Sequence, residues 1–125
     1  MICTISKHRA ERKGYADAMM LDWQGRVAEC TGANIFFTKD GVIHTPIADC
    51  FLDGITRRTV IDLAKKRQYK VVERAILPQE MGKASEMFLT GTASYFRPEI
   101  TRWMQPEYGP HAVPQAEAAR TAVGW

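Results

Sequence analysis

Three residues, Lys39-Asp40-Gly41, separate the strand-like stretches Asn34–Thr38 and Val42–Thr45, and nothing else in the sequence constrains the fold as strongly. Asp-Gly supplies the positive backbone angles of a tight turn, so the two stretches must pair as a hairpin with a fixed register. A second hairpin is expected upstream, from Ala18–Leu21 through the turn Asp22-Trp23-Gln24-Gly25 to Arg26–Glu29. Pro46 ends the strand that precedes it. A loop then runs through Leu52 to Asp53-Gly54, where the apolar period changes from two to that of a helix.

Ile55–Gln68 is the expected helix, with Val60, Leu63 and Ala64 as its apolar stripe and Asp53 or Thr56 as candidate N-terminal caps. Tyr69–Glu73 reads as a strand. Pro78–Ser85 reads as a short helix opened by its proline, and Met87–Thr90 as a strand running into Gly91-Thr92-Ala93. Near the start, Ile2–Lys13 has helical composition and is closed by Gly14, suited to a left-handed cap. Strands lie among helices without an internal repeat, so the class is α+β, hairpins plus helix-linked strands. Beyond Ser94 the prolines 98, 106, 110 and 114 interrupt every pattern and only Gln115–Val123 looks helical. Residues 94–125 are expected to be a divergent, poorly ordered tail.

At 125 residues the chain has enough length for one soluble core and not for two. Seventeen basic against fourteen acidic side chains leave a net charge of +3, which does not call for nucleic acid. The basic clusters Lys7–Lys13 and Arg57, Arg58, Lys65, Lys66, Arg67 are interleaved with Glu11 and Asp62 and read as solvated helix faces. Cys3, Cys30 and Cys50 are odd in number and form no CxxC pair, which suits a reducing compartment. His8, His44 and His111 lack ligand spacing, so no metal is expected. Met1–Ser6 is too short for a signal-peptide core, and a cytoplasmic, membrane-free protein is the expectation.

The hydrolase elbow, the P-loop and the dinucleotide glycine motif are all absent. Two glycine turns beside hydroxyls remain, Gly54-Ile55-Thr56 and Gly91-Thr92-Ala93. The first stands at a helix N-terminus, where open N–H groups and the dipole favour a phosphate, although the spacing alone favours Thr56 as a plain helix cap. The second also reads as an ordinary strand end. Glu29, ahead of the small-residue bend Cys30-Thr31-Gly32-Ala33-Asn34, would suit the protonated ring nitrogen of a heterocycle if buried; at the surface it is an ordinary glutamate.

Taken together, the blocks Gly14-Tyr15, Met20-Leu21-Asp22, Gly25-Arg26-Val27-Ala28-Glu29, Thr31-Gly32-Ala33-Asn34-Ile35-Phe36-Phe37, Lys39-Asp40-Gly41, His44-Thr45-Pro46, Leu52-Asp53-Gly54-Ile55-Thr56-Arg57 and Phe88-Leu89-Thr90-Gly91-Thr92-Ala93 resemble a known family. It is the branched-chain amino acid aminotransferases, fold-type IV, class-IV pyridoxal-phosphate enzymes. The resemblance covers residues 1–93 and implies the larger, C-terminal, cofactor-binding domain of the D-amino acid aminotransferase-like fold, incomplete here. It implies that Glu29 faces the pyridine nitrogen of pyridoxal 5′-phosphate, that Ile55, Thr56 and Thr92 hold the phosphate, and that Leu52 packs on the ring. The Thr92–Ala93 backbone is implied to meet the substrate carboxylate.

The implied reaction is amino transfer between leucine, isoleucine or valine and 2-oxoglutarate, in a homo-oligomer acting on small molecules. The Schiff-base lysine of the family falls ahead of Met1, and Lys7 lies about 18 Å of helix beyond the required position, so no catalytic residue is assigned. The chain reads as truncated and inactive alone. Two departures accompany this: Ser94-Tyr95-Phe96-Arg97-Pro98 replaces the usual acidic and apolar continuation, and Gln68 stands where a glycine commonly ends the helix. Rival readings are a non-catalytic cofactor-binding or oligomer-partner fragment, a non-functional remnant, and a sister activity such as D-amino acid aminotransferase or aminodeoxychorismate lyase.

Overall fold

In the computed structural model, which describes residues 2–91 and 112–114, Asp40 (φ 52°) and Gly41 (φ 74°) both adopt the left-handed conformation of a two-residue hairpin turn. The turn joins β3 (Asn34–Lys39) to β4 (Val42–Pro46), with Phe37 opposite His44 and Lys39 opposite Val42. The other hairpin pairs β1 (Tyr15–Leu21) with β2 (Val27–Cys30), Met20 lying opposite Glu29. Its turn is tied by Asp22, whose Oδ1 accepts from the backbone N–H groups of Gln24 (2.8 Å) and Arg26 (2.9 Å). Both expected hairpins therefore form, the first strand starting earlier than read.

After β4 a loop leads to α2 (Ile55–Lys66), which returns the chain so that β5 (Val71–Arg74) pairs parallel with β4. A connection of this kind needs a long crossover, because parallel neighbours cannot be joined by a tight turn. The short helix α3 (Pro78–Met81) follows, and β6 (Glu86–Thr90) then pairs antiparallel with β3. The four-stranded order is β5-β4-β3-β6. A three-stranded sheet has the order β2-β1-β7, where β7 is Ala112–Pro114. The N-terminal helix α1 (Ile2–Arg12) packs on β1 and ends at Gly14 (φ 87°), as its sequence predicts.

Strand alternation sorts the β3–β6 pair into two faces. Ile35 and Phe37, opposite Leu89 and Met87, join Met19, Val27, Cys30, Ile76 and Met81 in the buried core. On the other face Phe36 stacks on Phe88 (4.9 Å between centroids) and Asn34 stands opposite Thr90. Glu73, opposite Thr45 on β5, is reached from α2 by Arg57, so α2 covers this second face.

Several expectations are corrected. Neither Asp53 nor Thr56 caps α2: the cap position is Gly54, and no side chain bonds to the helix terminus. Arg57, assigned to a solvated face, is only 2% exposed. Its burial is sustained by hydrogen bonds to Asp53, Glu73 and the Pro46 carbonyl, which a charge-run reading cannot anticipate. α3 ends at Met81 rather than Ser85, since Gly82 follows and Ser85 bonds instead to Thr38 of β3. Gln68 takes a left-handed φ of 64°, the conformation for which a glycine is the usual choice. The tail lies mostly outside the described residues, including the helical stretch read at Gln115–Val123. Ala112–Pro114, however, pair with β1 opposite Tyr15, Asp17 and Ala18.

Replacing Gly41 with Ala places a Cβ in the left-handed region and is expected to cost about 1 kcal/mol in urea unfolding, with no change in far-UV spectrum.

Candidate functional site

The site begins at a residue ill-suited to a strand. Asn34 opens β3 among strong strand formers, and its amide makes contacts that a Val or Ile there could not. Its Nδ2 donates to the Leu52 carbonyl (2.9 Å), fastening the loop before α2 to the end of the sheet. Its Oδ1 would lie 2.7 Å from a Cβ built on Gly54, so a side chain there would have to push the Asn34 amide aside.

A second close approach lies beside it. A Cβ on Gly91 would stand 2.9 Å from the Gly32 carbonyl oxygen and 3.3 Å from the Ala33 Cβ. The bend at Cys30–Ala33 is itself closed by reciprocal backbone bonds between its ends. Three segments therefore meet at one end of the β3–β6 pair: the bend 31–33, the loop 52–54 and Gly91. Glu29 lies just ahead of the first, Ile55 and Thr56 just after the second. Thr92 and Ala93 directly follow the third and lie outside the described residues.

Glu29 is half-buried on β2, and it has no hydrogen bond or ion pair among the described residues. Partial burial pushes its carboxyl above the ordinary glutamate range, and the nearby Asp17 charge adds to the rise. Asp17 is buried on β1. It accepts from the backbone N–H of Ala18 (2.7 Å) and of Thr31 (3.2 Å) and from the Thr31 hydroxyl, holding the bend that follows Glu29. The pair makes a local negative field that no cation among the described residues answers.

The opposite polarity stands at α2. Gly54 has an extended backbone (φ −61°, ψ 147°), and the first helical bond runs from Arg58 N–H to the Gly54 carbonyl. The N–H groups ahead of it lack side-chain caps and point out of the helix end with the positive pole of its dipole. Thr56 is exposed there. Leu52 and Ile55, 82% and 84% exposed, are large apolar side chains left uncovered beside these donors. The Thr90 hydroxyl, opposite Asn34, is buried without a partner among the described residues.

Of the residues that the sequence reading singled out, Glu29 adjoins the bend and Ile55 and Thr56 open the uncapped helix, while Thr92 and Ala93 lie outside the described residues. What that reading missed are the residues behind them: Asp17, Asn34, Arg57 and Thr90. Two left a signal. Asn34 is a turn former inside a strand pattern, and Arg57 is a cation in the first turn of a helix, against the dipole, with Asp53 at i−4.

Comparison with known proteins bears on this arrangement. The family model for amino-transferase class IV matches residues 1–99. A probable branched-chain-amino-acid aminotransferase of Rickettsia bellii is 50% identical over 88 residues, 70% of this chain and 30% of the relative. The branched-chain amino acid aminotransferase structure from Escherichia coli superposes with a TM-score of 0.70 at 37% identity, covering 73% of this chain and 31% of that one. A putative 4-amino-4-deoxychorismate lyase from Legionella pneumophila superposes with a TM-score of 0.72 at 27% identity, covering 76% and 36%. The chain thus spans about a third of the length of the relatives it matches. With a match over residues 1–99 and half of the aligned positions identical to a curated relative, the chain belongs to the class IV aminotransferases, a pyridoxal-phosphate-dependent family.

Proposed function

We propose that these 125 residues form the cofactor cradle of a branched-chain amino acid aminotransferase, acting in the cytoplasm on amino acid and 2-oxo acid substrates within a homo-oligomer, without nucleic acid or membrane partners. One observation carries this reading: at one end of a sheet Gly91 packs against the bend after Glu29, while Asn34, which closes that bend, holds the loop before Ile55 and Thr56. Of the described residues, no helix is long and apolar enough to cross a membrane.

The residues present fit pyridoxal phosphate. Glu29 is a half-buried carboxylate lacking a cation among the described residues, and a protonated ring nitrogen supplies one. The open N–H groups of Ile55 and Thr56, with the Thr56 hydroxyl, suit a phosphate dianion. Leu52 offers an uncovered apolar surface to a ring. Thr92 is assigned to the phosphate, and the Thr92–Ala93 backbone to the substrate carboxylate, from the family pattern alone. When bound, the cofactor ring draws electron density from the substrate Cα and makes its proton labile. The chain's part is to keep the ring nitrogen charged through Glu29, anchor the phosphate and orient the ring.

The identity to branched-chain relatives favours that substrate class over the sister activities. None of the lysines of these 125 residues is assigned the proton-carrying role that a lysine has in this family. The chain is expected to bind without transaminating, and measurable turnover of leucine by the purified chain would overturn this.

Equilibrium dialysis tests the cradle: pyridoxal phosphate is expected to bind at least about tenfold more tightly than pyridoxal, a margin set by the phosphate contacts. Equal affinities would sink the proposal. Glu29→Gln is expected to weaken cofactor binding by roughly tenfold through loss of the ring ion pair.

The same substitution has a pH signature in the free chain. Because folding raises the Glu29 pKa, its ionised form costs stability that is absent below the carboxylate range and appears as pH rises through the folded value. Glu29→Gln should therefore raise the melting temperature by about 2 °C at pH 7 and leave it unchanged near pH 3.

A further inference from the structure

The loop that delivers the chain to α2 carries its own competitor for that helix end. Asp53 immediately precedes the cap residue, so its carboxylate is the nearest anion in sequence to the open N–H groups of Ile55, Thr56 and Arg57. An anion this close to a helix N-terminus is attracted by the dipole and by its open N–H groups. Here it makes no bond with them. Oδ1 accepts from Arg57 NH1 (2.7 Å) and Oδ2 from Arg58 Nε (2.8 Å), which occupies both oxygens away from the terminus.

Arg57 cannot follow if Asp53 moves. Its NH2 is bonded to the Pro46 carbonyl (2.8 Å) and to Glu73 Oε1 (2.7 Å), so the guanidinium is fixed to β4 and β5. Asp53, Glu73, Arg57 and Arg58 sum to zero charge, leaving the helix dipole unopposed. An independent feature has the same effect: Asn34 Oδ1 stands 2.7 Å from where a Gly54 Cβ would be, so a capping Ser or Asp at the cap position itself would have to displace the Asn34 amide from the Leu52 carbonyl. Nearby, the Thr90 hydroxyl is buried and unpartnered among the described residues.

We propose that Arg57 and Arg58 are positioning residues that hold Asp53 off the N-terminus of α2, keeping its N–H groups open for a phosphate group. The role rests on the reading of that terminus as the phosphate seat. It differs from ordinary fold support in one respect: the harm done by losing the arginines is caused by the released carboxylate, and it disappears when that carboxylate is removed.

The same two contacts act on the ionisation of Asp53. Hydrogen bonds from Arg57 and then Arg58 lower its carboxyl below the ordinary aspartate range. A charged, freed Asp53 would repel a dianion as well as occupy its donors.

The test is the ratio of pyridoxal to pyridoxal-phosphate dissociation constants, measured by equilibrium dialysis on the full chain, with circular dichroism as the check of folding. Arg57→Met is expected to lower this phosphate preference about tenfold and Arg58→Gln, at an exposed position, about twofold. Adding Asp53→Asn to either is expected to restore most of the loss. If Arg57→Met fails to fold, Arg58→Gln with and without Asp53→Asn decides the matter. A phosphate preference that survives both arginine substitutions, or whose loss Asp53→Asn does not repair, overturns the positioning role while leaving the cradle intact. A wild-type chain with no phosphate preference overturns both.

Discussion

The buried guanidinium of Arg57 holds together the parts of this molecule that matter most. It ties the loop before α2, the end of β4 and the middle of β5, three segments well separated in sequence. Burying a cation is unfavourable unless it is paired, and the two carboxylates that pair with it remain partly exposed, at 33% and 43%, where water shares their desolvation. The arrangement places rigidity where a helix end must be held steady and leaves the apolar core to the other face of the sheet.

Polarity is divided in the same spirit. Asp17 and Glu29 gather negative charge at the bend after β2, with Asp17 satisfied by three donors and Glu29 by none among the described residues. The helix end offers the opposite sign. Leu52 and Ile55 stand uncovered beside that helix end, and together with Glu29 these are the features on which the proposed cofactor cradle rests.

Much of this was legible in the residues. Asp40-Gly41 and Asp22 through Gly25 encode both hairpins locally, through positive backbone angles and a side chain that bonds its own turn. The helix read at Ile55–Gln68 forms over Ile55–Lys66, although Leu63 of its expected apolar stripe is half exposed, while Glu29, Ile55 and Thr56 were singled out as site residues by the family resemblance. The rest depends on distant partners. Arg57 looks like any surface arginine until Glu73 arrives beside it, and Asn34 looks misplaced until the Leu52 carbonyl does. The parallel pairing of β4 with β5 and the contact of β7 with β1 are likewise set by tertiary packing, for which a local pattern has no signal.

The parallel crossover has a kinetic side. Antiparallel neighbours joined by short turns can zip from those turns within microseconds, but β5 finds β4 only after the whole connection through α2 has closed a loop. Arg57 meets Glu73 only at that moment. The hairpins are therefore free to condense early, while the Arg57 tie that steadies the start of α2 waits for the crossover to close and belongs to the later stages of folding.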